Sequence, residues 1–592
     1  MRHQERIRVH TLCAAAFALG TFFAPHAAAT QGPCEQIAEA CRQAGFVRGA
    51  ASEGTGLQVD CVRPIIQGTA QPNRRSKPLP KVDSKLAAAC KARNPNFAQP
   101  ATQPSQPSGQ LPPASPPQPV AVVQGTPAQS ASNKRPNIVF ILTDDLSWNL
   151  VPYMPHVLKM QKEGVTFTNY FVTDSLCCPS RSSIFTGRYP HNTGIYRNVG
   201  EDGGYLGFYK RGHERATFAT ALSAAGYRTA MLGKYLNGYL PAVHPPAPGW
   251  TFWAVAGNGY PGFNYDLNQD GKIVHYGNQP KDYMTDVLSD LAVRFIKQAA
   301  GTPFLIEIAT FAPHAPYTPA PRDADALPGL RAPHTPAFDA APDVKAPQWL
   351  KAHRSLSGAD VAGIDTDFRK RAQSVLAVDA MIGELQAAVA AIGEENNTYF
   401  VFNSDNGYHM GEHRLMPGKM TAFDMDIRVP LIVTGPGVPA GTTIEEIVEN
   451  IDLCPTFTEF ADMEPSASID GRSLAPLLHG QKVSDWGTAA LIEHRGPVRN
   501  LVDPDLPGIR SGNPTTYEAI RGRKSVYVEY ANGDREYHDH TTDPDELRNT
   551  FSLLSGDEQA VLRAALAAAQ NCQGRQSCSA ARSQTRSPQS VK

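Results

Sequence analysis

Four short apolar runs constrain the fold more than any other feature. "NIVFILTDD" (137–145), "YRTAMLGK" (227–234), "PFLIEIATFAPH" (303–314) and "TYFVFNSDN" (398–406) each end in charged, amide or imidazole side chains. A run without polar alternation suits a strand buried on both faces, as strands of a parallel sheet are between helical layers. Helical periodicity intervenes, as over 375–392, where Val378, Ile382, Leu385 and Val389 share one stripe. The alternation predicts an α/β fold with a large, mostly parallel sheet sandwiched by helices. In such a sheet, ligand groups gather beyond the carboxyl ends of the strands.

That geometry brings Asp144, Asp145, Lys234, His314, Asp405 and Asn406 to one edge. Taken singly, Asp-Asp after a strand is also a helix cap, and "DNG" is also a turn. Taken together, three carboxylates and an amide offer only oxygen ligands, which suits Ca²⁺ or Mg²⁺ and not zinc. His409 and His413 lie four residues apart in "DNGYHMGEH", and a zinc-like reading of that pair conflicts with the oxygen-rich set.

The 592 residues exceed one typical domain. Residues 1–29 have a basic start, a short apolar stretch and a small-residue end, the pattern of a signal peptide for a secreted or periplasmic protein. No later run approaches about 20 apolar residues, so no membrane span is expected. Lys and Arg total 55 against 56 Asp and Glu, which excludes an extended nucleic-acid surface. Residues 30–97 carry Cys34, Cys41, Cys61 and Cys90 and read as a small disulfide-stapled module, with "CEQIAEAC" as a short helix. Residues 98–133, rich in Pro, Gln and Ser, read as a linker, and 134–480 as the catalytic body. Residues 481–570 predict a smaller α+β subdomain with a hairpin turning at "NGD" and a helix through Ala568. In the expected disordered tail, 571–592, Cys572 and Cys578 are placed to pair. "NNT" at 396–398 matches an N-glycosylation acceptor. With Cys13 set aside in the leader, nine cysteines remain of ten, an odd number where disulfides form.

The segment "CCPSRSSIFTGRYPHNTG" (177–194) resembles the sulfatase signature, in which the first cysteine becomes Cα-formylglycine. "GKYLNGY", "APHAPY", "NNTYFVFNSDNGYHMGEH" and "DMDIRVPLIVTGPG" extend the resemblance over about 134–551. It looks closest to the N-acetylglucosamine-6-sulfatase and extracellular endosulfatase branch. The resemblance implies the alkaline-phosphatase-like fold and a cation, Ca²⁺ or Mg²⁺, held by Asp144, Asp145, Asp405, Asn406 and the residue at 177. It makes Lys234 and Lys419 the sulfate-binding cations, His314 the general acid and Arg181 a stabiliser of the nucleophile. Where many arylsulfatases place a histidine two residues after the lysine, this chain has Leu236, and Asn237 is expected to fill part of that role. His409 is expected to touch substrate, His413 less so, and His191 and Asn192 to lie at the pocket edge.

The chemistry agrees with this assignment. A thiol's sulfate adduct is hard to hydrolyse, whereas an aldehyde hydrate has two hydroxyls: one attacks sulfur, and loss of a proton from the other expels sulfate. Pro179 suits the first turn of a helix, so residue 177 would sit at an amino end that favours anions. Converting Cys177 leaves eight cysteines, enough for four pairs if Cys178 bonds Cys454. The expected activity is sulfate-ester hydrolysis on a sulfated carbohydrate or an aryl sulfate, after maturation by a formylglycine-generating enzyme. The alternatives are a phosphonate monoester or phosphodiester hydrolase with the same machinery, and an inactive carbohydrate-binding envelope protein.

Overall fold

β1 (Asn137–Thr143) is buried at every position, and its alternate residues serve two cores: Ile138, Phe140 and Leu142 face one, Val139 and Ile141 the other. A strand with no solvent face must lie inside a sheet covered on both sides. In this computed structural model it pairs in parallel with both neighbours. With β2 (Arg228–Lys234), β3 (Phe304–Ala309) and β4 (Thr398–Ser404), the central order is β4, β1, β3, β2. Six shorter strands extend the sheet to ten, with antiparallel pairs entering toward both edges. β1 joins β3 on one side and β4 on the other, the kind of position where an α/β sheet opens a crevice at its carboxyl edge.

The described residues are 33–44, 61–62, 64–65, 78–93, 134–500, 503, 506–508 and 510–583. The leader and linker readings lie outside them. The chain divides into two compact units, Met1–Gly125 and Thr126–Lys592. In the first, the helices Pro33–Gln43 and Ser84–Arg93 accompany a Cys41–Cys61 disulfide and a small core of Ile37 and Val62; Cys90 is also disulfide-bonded.

In the second unit, α1 (Cys177–Thr186) lies wholly buried on one face of the sheet, and α2 (Met284–Ala299) and α3 (Gly358–Ala391) pack on the other. Val378, Ile382, Leu385 and Val389 of α3 are all buried. By length and composition α3 is apolar enough to cross a bilayer. Here it is a core helix, and its Asp379 accepts backbone N–H groups from His156 and Val157, capping the helix Pro155–Glu163.

The carboxyl-terminal part is an antiparallel sheet of Ala489–His494, Tyr517–Gly522, Ser525–Tyr530 and Arg535–Asp539, followed by the helix Gly556–Gln570. Cys572 and Cys578 are bonded. The expected disorder of 571–592 is corrected as far as residue 583: Gly574–Ser583 is helical, and its Arg582 is buried against Glu449 at 3.1 Å and Asp452 at 3.0 Å. Two buried carboxylates demand a counter-charge, which a polar-looking tail supplies. The expected Cys178–Cys454 disulfide is not formed. Both are buried thiols, and Cys178 Sγ faces Ser182 Oγ at 3.9 Å, with burial pushing its pKa up to about 12.

Glu307, in the middle of β3, is fully buried, and neither carboxylate oxygen has a hydrogen-bond partner. Burial pushes its pKa up to about 8, opposed by the charge of Arg181. A raised folded-state pKa means that stability is lost as pH rises from the unfolded value toward 8, by at most about 1.4 kcal/mol per pH unit. Glu307→Gln should therefore melt higher than the parent at pH 8 and nearly level with it at pH 5. Melting curves across that range test this; a gain independent of pH would contradict it.

Candidate active site

α1 starts at the residue that matters. Leu176 is extended, Cys177 opens the first turn, and the helix stops at Gly187, whose φ of 66° is left-handed. A Cβ there would also lie 2.7 Å from Ile469 Cγ2. Buried hydrogen bonds seat the helix: the Cys178 N–H donates to Asn198 Oδ1 at 2.9 Å, and Asn450 Nδ2 donates to Ser180 Oγ at 2.9 Å. Cys177 is thereby fixed at a helix amino end, facing the carboxyl ends of the central strands.

There the predicted residues meet. Cys177 Sγ donates to Asp144 Oδ1 at 3.4 Å and accepts from Lys419 Nζ at 2.9 Å. Lys234, the last residue of β2, donates to Asp144 Oδ2 at 2.5 Å, and Lys419 Nζ reaches Asp145 Oδ1 at 2.7 Å. Arg181 Nε donates to Asp405 Oδ2 at 2.8 Å and Nη1 to the Lys234 carbonyl at 2.9 Å. Asn406 Nδ2 donates to Asp145 Oδ1 at 2.6 Å. His314 Nδ1–H donates to the Ala315 carbonyl at 2.7 Å, which turns Nε2 toward Asp145 Oδ2 at 3.6 Å. Asn237 donates to the Tyr260 hydroxyl at 3.4 Å.

The electrostatics follow from burial plus pairing. Burial works against the Lys234 charge, but Asp144 and Cys177 hold its pKa well above the ordinary lysine value. Burial would raise Asp405, yet Arg181, Lys234 and Lys419 hold it below the usual carboxylate range. A cleft lined by Asp145, His314, Tyr408, Lys419, Leu506 and Ser511 opens onto this cluster.

The residues fit a hard cation. Ligating atoms of Asp144, Asp145, Cys177 and His314 lie within 4.8 Å of one another. Asn406 Oδ1 is buried without a hydrogen-bond partner, an orphaned oxygen that a cation would satisfy.

Four expected pocket contacts are corrected. His409 Nδ1 bonds Asp426 at 3.0 Å and Nε2 donates to the Ser511 carbonyl at 2.9 Å, so both ring nitrogens are taken. Its backbone pairs with Gly418 in both directions, N–H to carbonyl, at 2.8 and 3.1 Å; it holds the loop that presents Lys419. Burial would lower its pKa, but Asp426 and Glu412 raise it. His413 stacks on Phe423 at 4.0 Å, and burial pushes its pKa down to about 3. His191 bonds Glu493 at 2.8 Å and the Cys572 carbonyl at 2.8 Å, and Asn192 donates to the Cys572 carbonyl and to Asp470, each at 2.9 Å, so both tether the C-terminal segment.

Two residues at the site went unnoticed in the sequence. Arg371 of α3 donates from Nη2 to the Asp145 carbonyl at 2.5 Å and lies 4.3 Å from the Tyr408 ring centroid, fixing Asp145 at a left-handed φ of 65°. In the sequence Arg371 is one charge in the run "RKR". Tyr260 touches Lys234, His314 and Asn237 from a glycine-rich loop whose only signal is its turn residues.

Adding Ca²⁺ to chelator-treated protein should raise its melting temperature, by roughly 3 kcal/mol of stabilisation at a hundredfold excess over Kd. Asn406→Leu should lose most of that shift while its melting in chelator stays near the parent's. An undiminished Ca²⁺ shift in this variant would remove Asn406 from the ligand set.

The sulfatase family profile matches residues 136–463, and the C-terminal profile of N-sulphoglucosamine sulphohydrolase matches 411–569. Human N-acetylglucosamine-6-sulfatase is 33% identical over 478 residues, 75% of this chain and 86% of that one. A solved complex with the substrate D-glucosamine-2-N,6-O-disulfate superposes with a TM-score of 0.62 at 24% identity, covering 76% of this chain and all of that one. A phosphonate monoester hydrolase from Silicibacter pomeroyi superposes at 0.55 and 22% identity, over 72% of this chain and 93% of that one. With its cysteine, paired aspartates and lysines gathered at the sheet edge, and a family match over more than half its length, the chain belongs to the sulfatase family.

Proposed function

We propose that this sulfatase is exported and hydrolyses O-sulfate esters of sulfated sugars, with N-acetylglucosamine-6-sulfate the preferred class. The observation that carries the reading is the meeting of Cys177, Lys419, Asp144 and Lys234 within hydrogen-bond reach at a helix amino end. The relatives' substrates support the sugar class, and the basic and apolar leader supports export to the periplasm or outside the cell.

Each residue then has a task. Converted to formylglycine by a maturation enzyme and hydrated, position 177 would supply an oxygen nucleophile and a second hydroxyl to release sulfate. A cation, Ca²⁺ in preference to Mg²⁺, held by Asp144, Asp145, Asp405 and Asn406, would polarise a sulfate oxygen. Lys234 and Lys419, both buried and paired with aspartates, bind the remaining sulfate oxygens and stabilise charge that grows as the ester bond breaks. Arg181 holds Asp405 and the Lys234 carbonyl, and so the spacing between α1 and two strand ends. His314 turns Nε2 into the site, where a proton can pass to the leaving alcohol. Tyr408 and the chain around Ser511 wall the cleft.

In active enzyme, the peptide containing residue 177 should carry the aldehyde or its hydrate in place of the thiol; mass spectrometry reading only thiol would overturn this mechanism. Cys177→Ala should lower kcat at least about 10³-fold, while Cys178→Ala, a packing change in the core, keeps most activity. Equal loss in two folded variants would remove the case for Cys177. Assayed side by side, an aryl sulfate should be turned over faster than an aryl phosphodiester; the reverse order would favour the phosphonate-hydrolase reading.

A further inference from the structure

The loop between the strands Phe252–Ala256 and Tyr265–Gln269 places one aromatic ring among three of the residues assigned above. Its turn is tight: the Gly262 N–H donates to the Gly259 carbonyl at 2.9 Å, with Tyr260 and Pro261 between them. Gly262 has φ of 75°, which glycine adopts freely. At Gly259 a Cβ would lie 2.5 Å from Met284 Cε and 2.6 Å from Phe311 Cε2, so the loop is pressed onto the core with no room for a side chain there. Tyr260 is therefore held by its backbone and is half-buried.

The ring of Tyr260 packs edge-on to Phe311, with centroids 5.0 Å apart, and against the His314 imidazole at 4.5 Å and 51°. Its face lies 5.0 Å from Lys234 Nζ, and its hydroxyl accepts from Asn237 at 3.4 Å. Lys234 has an independent anchor in Asp144, 2.5 Å away. His314 Nδ1 is held by the carbonyl of its sequence neighbour Ala315, and its Nε2 faces Asp145 Oδ2 at 3.6 Å. The Tyr260 ring, tilted 51° against the imidazole at 4.5 Å, limits how far that ring can swing, and with it the direction of Nε2.

We propose that Tyr260 is a positioning residue for His314. Its aromatic face sets the imidazole orientation in which Nε2 delivers a proton to the leaving alcohol. The inference rests on the general-acid reading of His314 given above. It is the ring that acts; the hydroxyl serves Asn237. The role therefore matters most for a sugar alcohol, a poor leaving group that needs a proton, and least for a nitrophenolate, which leaves without one.

A double-mutant cycle separates this from a purely structural role. With N-acetylglucosamine-6-sulfate, Tyr260→Ala should lower kcat on the order of 30-fold, and Tyr260→Phe should stay within about threefold of the parent. Added to His314→Ala, Tyr260→Ala should cost almost nothing further, because the group it orients is gone. With 4-nitrophenyl sulfate the same Tyr260→Ala change should cost less than about fivefold. Where the alanine variant melts too low to assay, Tyr260→Leu, which keeps apolar packing without an aromatic face, runs the same cycle. Additive losses, or equal losses on the two esters, would overturn the proposal and leave the functional reading standing. Parent enzyme that releases sulfate from neither ester, although residue 177 is converted, would overturn both.

Discussion

A buried balance of charge governs this molecule. Asp144, Asp145 and Asp405 are almost wholly removed from solvent, as are Lys234, Lys419 and Arg181 that pair with them. Ionised groups enter a protein interior only when each finds a partner with good geometry, and removing one member leaves an uncompensated charge that costs several kcal/mol. The six side chains come from four distant parts of the chain, so they can be neutral together only if the fold is right. The cluster thus makes one arrangement of strand ends far better than its neighbours, and the same geometry crowds positive charge where an anionic ester must bind.

The scaffold answers that demand with rigid parts. Parallel strands carry Asp144, Lys234 and Asp405 to a common edge, and register fixes their heights: Leu142 lies beside Asn403 and Thr143 beside Ser404. Lys419 has no strand to carry it. Its loop is instead pinned by the His409 backbone pairs and by the Asp426 carboxylate, which holds the His409 ring and accepts the Thr421 N–H at 3.0 Å. Arg371 reaches from the opposite helical layer to hold the Asp145 carbonyl. Both cores of the sheet therefore contribute to one site.

How much of this was legible depended on the range of the interaction that decides each residue. Strands β1 to β4 were readable because burial on both faces writes itself into a local run of apolar residues. Asp144, Asp145, Asp405 and Asn406 were readable because they follow those runs directly. His409 was misread because its partners Asp426 and Ser511 lie 17 and 102 residues away. His191 was misread for the same reason, its ring being spent on Glu493 and Cys572. Arg371 looked like a solvated charge on a helix, and only the close packing of α3 on the sheet turns it inward. The cysteine count suggested a fourth disulfide, but parity says nothing about which thiols approach each other, and Cys178 and Cys454 remain separate in the core.

Arg582 has a consequence for the order of events in the life of the chain. It neutralises Glu449 and Asp452, and Asn450 between them bonds Ser180 of α1. The anchor of α1 is therefore completed by a residue synthesised long after Cys177. Cys177 is inaccessible once α1 is seated. If the proposed maturation enzyme must reach that thiol, it works before α1 is seated, and residue 582 is delivered well after residue 177. On the proposed chemistry, the separation of Cys177 and Arg582 along the chain would set the time open to maturation.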